Sequence, residues 1–132
     1  MSQIMSGTGQ TTVLALGIAS VAPAVVYVAL SNVIGVVGAF MTSSNTASNV
    51  IFSPLHASVT SSLDALNLPI VIAAQSAGGA IGNAIAPANV ILGTSTVGNE
   101  EDNSSILKIT LVYTVITSVI VSAVSVLIFF VT

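Results

Sequence analysis

The stretch GAFMTSSNTASNVIF, residues 38–52, decides the fold, because a polar segment separates two apolar ones there. Residues 41–49 read MTSSNTASN and are almost entirely polar, whereas residues 32–40 and 50–59 are mostly apolar. Each apolar arm would reach only about 15 Å as an α-helix, roughly half of a hydrocarbon core that is about 30 Å thick. The pattern predicts a re-entrant helical hairpin over residues 32–62. The alternative is one crossing helix whose polar patch faces a neighbouring helix.

The composition places the whole chain in a membrane. Of its 132 residues, 54% are hydrophobic and only 4% are charged, whereas a soluble domain carries about 25% charged residues. With one basic residue and a net charge of −3, the chain has no surface suited to nucleic acid. It contains no cysteine, which excludes thiolate metal sites.

Three further elements complete the predicted all-α membrane domain, which we take as a single unit over residues 1–132. Residues 12–31 form a spanning helix kinked at Pro23, and residues 106–131 form a C-terminal spanning helix. Residues 69–98 form a discontinuous helix, because GGAIGNAIAPAN at 78–89 disfavours a regular helix. The alternative for this element is a close-packed helix with a GxxxG contact at Gly78 and Gly82, and both descriptions can hold together. A stripe of hydroxyl residues on the last helix indicates packing: Thr110, Thr114, Thr117, Ser118, Ser122 and Ser125.

Two polar interruptions at membrane depth are typical of secondary transporters with inverted repeats. A helix that begins inside the membrane leaves its first N–H groups unpaired, and these groups attract an anion. We expect Thr46 or Ser48 to cap the second hairpin arm and Pro87 to open the second half-helix. The candidate substrate- or ion-binding residues are Ser44, Asn45, Thr46, Ser48, Asn49, Gln75, Asn83, Pro87 and Asn89.

The chemistry of these side chains suits binding and not bond cleavage. Hydroxyls and amides can hold a carboxylate, a hydroxyl group or a hard cation such as sodium. The chain has no carboxylate pair, Ser–His–Asp set or metal-ligand cluster, so we expect no enzyme activity, no catalytic residue, no metal site and no cofactor. His56 is the one titratable residue of the hairpin. It is interpreted as an interfacial histidine without a coupling role, with proton carrier as the alternative.

Two motifs resemble one family of membrane proteins. GAFMTSSNTASNVIF at 38–52 is similar to a segment of the L-lactate and glycolate permeases, and AAQSAGGAIGNAIAPANVILGTSTVG at 73–98 resembles that family's second signature. The resemblance covers most of this chain but only the C-terminal part of a longer permease. It implies that Ser44, Asn45 and Thr46 form one site and that the opposing broken helix contributes Asn83, Pro87 and Asn89. Ser43 stands where the family usually has glycine, and would be strained if the turn needs a positive φ.

The resemblance implies transport of L-lactate or a related 2-hydroxy-monocarboxylate across the plasma membrane, coupled to a proton or sodium ion. Three or four crossings are too few to enclose a solute pathway. The expected partners are therefore membrane lipid, the substrate, and either the remaining permease helices or further copies of this chain. The alternatives are a small structural or regulatory membrane protein, or a non-functional truncated product.

Overall fold

The computed structural model describes residues 8–98 and 103–131, and within these ranges the secondary structure is helical, without a strand. The all-α prediction is confirmed. The helices are α1 (Gln10–Val21), α2 (Ala24–Thr42), α3 (Asn45–Ser62), α4 (Leu68–Ala84), α5 (Pro87–Thr96) and α6 (Asn103–Val131).

Two of these helices, α2 and α6, are long and apolar enough to cross a membrane. The pair α4 and α5 becomes a third crossing if it is taken as one span bent by 46°. The polar helix α3 does not reach this level of hydropathy, so protein contacts have to cover part of its surface. Its buried side chains are Ser48, Leu55, His56 and Val59.

Pro23 has a stronger effect than the predicted kink. A residue that precedes proline is driven towards extended backbone, and Ala22 has φ −101° and ψ 117°, so α1 ends at Val21. Helix α2 then runs from Ala24 to Thr42 and passes straight through the predicted boundary at residues 31–32. That boundary was wrong. Asn32 causes no break because its buried side chain hydrogen-bonds to Ala74 O at 3.3 Å and to Ser118 Oγ at 2.6 Å.

Helices α2 and α3 form an antiparallel hairpin that turns at Ser43 and Ser44, inside the predicted polar tip. Gly38 faces Ser48 close to the turn, and Tyr27 meets His56 far from it. The arms contain 19 and 18 residues, so they are longer than the half-length arms that we predicted. The sequence rule failed here because polar residues at 41–49 continue both helices and do not form a loop.

Glycines hold α2 and α4 side by side as parallel helices. A Cβ on Gly78 would overlap the carbonyl of Asn32, and a Cβ on Gly82 would overlap the carbonyl of Val36. The close-packed alternative for α4 is therefore correct at both predicted glycines. The break also exists, but it is confined to Ile85 and Ala86, whereas we predicted an irregular stretch over residues 78–89.

Helix α6 packs antiparallel to α2 and α4. Ser118 and Ser122 donate hydrogen bonds to Asn32 Oδ1, at 2.6 and 3.4 Å, while Thr114 and Ser125 are buried. The packing prediction holds for these four residues, but Thr117 is exposed. A groove lies between α4 and α6, close to the α4–α5 break, and is lined by Ile81, Ala84, Thr110, Tyr113, Thr114 and Thr117. The break is thus level with a point about 10 Å along α6, whose length is about 43 Å.

Candidate functional site

The turn between α2 and α3 is built from local hydrogen bonds. Ser43 adopts the left-handed conformation, with φ 53° and ψ 26°. The turn therefore has the positive φ that was expected to strain a serine here. Thr42 Oγ1 lies 2.8 Å from the carbonyl oxygen of Gly38 and 2.9 Å from that of Ser44, and the two carbonyls share its one hydrogen. Ser44 Oγ then accepts from the Ala47 backbone N–H at 3.2 Å and caps α3. The cap predicted at Thr46 or Ser48 was wrong, because the helix begins one residue after Ser44.

The break between α4 and α5 is built differently. Pro87 is the first residue of α5, as predicted, and Ala86 before it has no side chain that could cap the helix. The amide nitrogen of Asn89 spans the break, donating to the backbone carbonyl and to Oδ1 of Asn83, both at 2.9 Å. This bridge stabilises the 46° bend between the two helices.

The two breaks lie next to each other. Asn89 Nδ2 is 3.5 Å from the carbonyl oxygen of Ser43, and Oδ1 of Asn45 lies where a Cβ on Gly79 would be placed. Two helices end here, α2 and α4, and two helices begin here, α3 and α5. Each N-terminus carries a partial positive charge of about half a unit, and each C-terminus an equal negative one. The backbone alone therefore gives this site a positive electrostatic potential at two helix N-termini and a negative one at two helix C-termini.

Positive potential at this site comes from backbone N–H groups. In residues 8–98 and 103–131, no hydrogen-bond partner is found for the N–H groups of Asn45 and Thr46, the first two of α3. The chain's one basic side chain, Lys108, is exposed on α6. An anion at the turn would be held by N–H groups, hydroxyls and amides, with no basic side chain from α3, α4 or α5.

A buried polar network extends from the turn into the bundle. Ser48 Oγ donates to the carbonyl oxygen of Gly35 at 3.3 Å. Gln75 Nε2 reaches Ser48 Oγ at 3.0 Å and Asn49 Oδ1 at 3.4 Å. Asn49 Nδ2 in turn lies 3.2 Å from Asn45 Oδ1. Gln75 on α4 therefore bonds directly to Ser48 and Asn49 of α3, and through Asn49 it is linked to Asn45.

His56 lies at the inner end of this network. Its ring is fully buried, with Nδ1 2.7 Å from the Tyr27 hydroxyl and Nε2 2.9 Å from Gln75 Oε1. Helices α2 and α4 enclose the ring, so it is buried in protein, while its interfacial depth in the membrane stays a prediction. The side chain belongs to the same hydrogen-bonded assembly as the turn.

The nine predicted site residues thus all lie at the two breaks or in the network behind them. Their exposure differs: Thr46 and Pro87 are exposed, Ser48 and Gln75 are fully buried, and the other five are half-buried, namely Ser44, Asn45, Asn49, Asn83 and Asn89. Sequence reasoning missed Tyr27, which is 29 residues from His56 in the chain. No sequence signal pairs these residues, because they meet only when α2 packs against α3.

Comparison with known proteins gives a consistent result. A family model described as L-lactate permease matches residues 1–132. An L-lactate permease of Halalkalibacterium halodurans is 28% identical over 113 residues, 86% of this chain and 21% of that protein. An L-lactate permease of Escherichia coli K12 is 28% identical over 124 residues, which is 94% of this chain and 22% of that protein. A putative L-lactate permease of Haemophilus influenzae is 31% identical over 90 residues, which is 68% of this chain and 17% of that protein. The chain therefore spans about a fifth of the length of these relatives. No solved structure matches it.

Proposed function

This chain belongs to the L-lactate permease family, plasma-membrane transporters and not enzymes, and on that basis we propose that it provides half of a carboxylate-binding site. The substrate is L-lactate or a related 2-hydroxy-monocarboxylate, carried by proton- or sodium-coupled symport. Because the chain matches only about a fifth of each relative, the opposing half would come from further permease helices or from a second copy.

The observation that carries this proposal is the meeting of two helix N-termini, α3 and α5, at adjacent breaks. A carboxylate placed there would accept hydrogen bonds from the N–H groups of Asn45 and Thr46 and from the Ser44 hydroxyl. The C-termini of α2 and α4, at the same place, would suit a sodium ion through carbonyl oxygens. The Asn45 amide would also donate to the carboxylate, and the substrate hydroxyl would pair with the Asn89 amide.

The depth of the breaks also supports the proposal. They are level with a point about 10 Å from the start of α6, a helix long enough to cross a hydrocarbon core about 30 Å thick. With α6 centred in the membrane, the breaks would lie inside the hydrocarbon region, where irregular backbone persists only if it lines a cavity or is buried in protein.

The test is lactate uptake by a hybrid permease in which this chain replaces the matching segment of the Escherichia coli relative. Asn45→Ala should lower uptake about tenfold or more, because one hydrogen bond to a charged group is lost. Asn67→Ala is the matched control, since Asn67 is exposed and its side chain makes no capping bond. Equal uptake by the two variants would reject the site and favour a purely structural role for the turn.

A further inference from the structure

One line of hydrogen-bonded side chains joins the interior of the bundle to the turn. It consists, in order, of Tyr27, His56, Gln75, Asn49 and Asn45. The first three are fully buried, so water cannot exchange partners with them. The direction of each hydrogen bond along this line can be assigned, because the line has a fixed acceptor beside it.

That fixed acceptor is the carbonyl oxygen of Gly35. Ser48 Oγ lies 3.3 Å from it, and since a carbonyl cannot donate, the single hydroxyl hydrogen of Ser48 is used in this bond. The group of Gln75 that faces Ser48 at 3.0 Å must therefore be a donor, which places its Nε2 there. The reversed amide would require the Ser48 hydrogen to turn from the Gly35 carbonyl to Gln75 Oε1, so the direction of the amide depends also on its partner at the other end, His56.

This orientation matches one tautomer of His56. Gln75 Oε1 is left facing the ring at 2.9 Å and can only accept, so His56 Nε2 carries the proton. Nδ1 of the neutral ring then accepts from the Tyr27 hydroxyl at 2.7 Å. Both ring nitrogens then have a hydrogen-bond partner, and the protonated Nε2 faces the acceptor oxygen of Gln75.

The hydrogen bonds between Gln75 and the turn are assigned in the same way. Gln75 Nε2 donates to Asn49 Oδ1, which leaves Asn49 Nδ2 to donate to Asn45 Oδ1. The NH2 group of Asn45 is then the half of its amide that has no partner in the described part of the chain. Reversing the His56 tautomer would reverse every amide in the line and turn the oxygen of Asn45 outward.

We propose that Tyr27 and His56 are positioning residues, which hold Asn45 with its NH2 group offered at the turn. A group that offers only N–H hydrogens binds a carboxylate and cannot coordinate a cation. Asn45 is therefore a ligand of the substrate carboxylate and not of the coupling ion. The identity of the ligand rests on the proposed function above, whereas the orientation of the amides does not.

The chain contains a single histidine, so its tautomer can be measured without assignment by ¹⁵N NMR of histidine-labelled chain in lipid nanodiscs. We expect the ring proton on Nε2 in the unmodified chain and a mixture of both tautomers in Tyr27→Phe, which loses the donor to Nδ1. A proton on Nδ1 in the unmodified chain would overturn the proposal, and so would an unchanged tautomer in Tyr27→Phe.

Asparagine-labelled chain tests the outer end of the line. Asn45→Asp identifies the Asn45 NH2 signals by removing them. These signals should form one pair in the unmodified chain and in His56→Gln, which keeps a nitrogen donor near the Nε2 position, but two pairs in His56→Met, which has similar size and no donor. A single unshifted pair in His56→Met would overturn the positioning role. Tyr27→Phe serves as the milder variant if His56→Met does not fold.

Titration of the hybrid permease, labelled in the same way, separates this inference from the proposed function, because the hybrid supplies the opposing half of the site. L-lactate should shift the Asn45 NH2 signals, with an affinity about tenfold lower in His56→Met, and sodium chloride should not. If L-lactate shifts nothing while the tautomer and amide results hold, the proposed function fails for this chain and the positioning role stands. Sodium shifting the Asn45 signals, with no effect of lactate, would overturn the assignment of Asn45 to the carboxylate.

Discussion

The two breaks start a helix inside the bundle in contrasting ways. At the first, the chain reverses direction through a left-handed serine, Ser43, and the hydroxyl of Ser44 caps α3. At the second, the chain bends by only 46°, Pro87 removes one N–H group, and no side chain caps α5. The first break is capped by its own Ser44 side chain, whereas the second depends on the bridge from Asn89 to Asn83.

This difference has a geometric cause. A reversal between antiparallel helices needs a residue with positive φ, which costs an L-amino acid about 1–2 kcal/mol. A shallow bend needs no such residue, since Ile85 and Ala86 both have negative φ. The bend instead leaves carbonyls of α4 without helical partners, and the backbone N–H groups of Ile85 and Ala86 together with Asn89 pair with some of them. The two breaks should therefore respond to different substitutions.

The largest effect should come from separating the two breaks. Gly82→Ala would place a Cβ on the backbone of Val36, so α2 and α4 would have to move apart at the level of both breaks. We expect a loss of about 3 kcal/mol in the free energy of unfolding, measured by denaturation in detergent followed by circular dichroism. Gly93→Ala on α5 is the control, because nothing lies within 4 Å of its Cβ. Equal stability of Gly82→Ala and the unmodified chain would contradict the close contact.

An intermediate effect should come from the bridge at the second break. Asn89→Ala removes the donor to Asn83 O and Oδ1 and to Ser43 O, and should cost about 1–2 kcal/mol of unfolding free energy. Asn67→Ala, on the exposed surface, should change the unfolding free energy by less than about 0.5 kcal/mol. If both variants unfold at the same denaturant concentration, the bridge does not stabilise the bend.

The smallest effect should come from strain at the first break. Ser43→Gly should raise the free energy of unfolding by about 0.5–1 kcal/mol, because glycine adopts positive φ without a steric penalty. Ser105→Gly, on an exposed position of α6, should instead lower it by about 0.5 kcal/mol through helix propensity. The two variants should therefore change the free energy of unfolding in opposite directions. A loss of stability in both would show that Ser43 is not strained.

Several features of this site were predictable from local sequence rules. Pro87 opens α5 because proline suits the first position of a helix. The polar side chains of the nine predicted site residues lie at the two breaks or behind them, and their binding role stays a prediction. The unexpected contacts involve Tyr27, Asn32 and His56. Each of the three lies in a helix whose neighbours are distant in the chain, so no local pattern indicates what it contacts.

Sequence alone determined that this chain is an all-helical membrane protein with polar interruptions within residues 41–49 and 78–89, since low charge, apolar runs, proline and the polar tip act locally. The tertiary structure decided that the breaks are adjacent, because glycines 78 and 82 allow α2 and α4 to approach in a particular register. It also decided the direction of the amides behind the turn. Hydrogen-bond polarity depends on which groups face each other, and Gly35, Ser48 and Gln75 face each other only in the packed bundle.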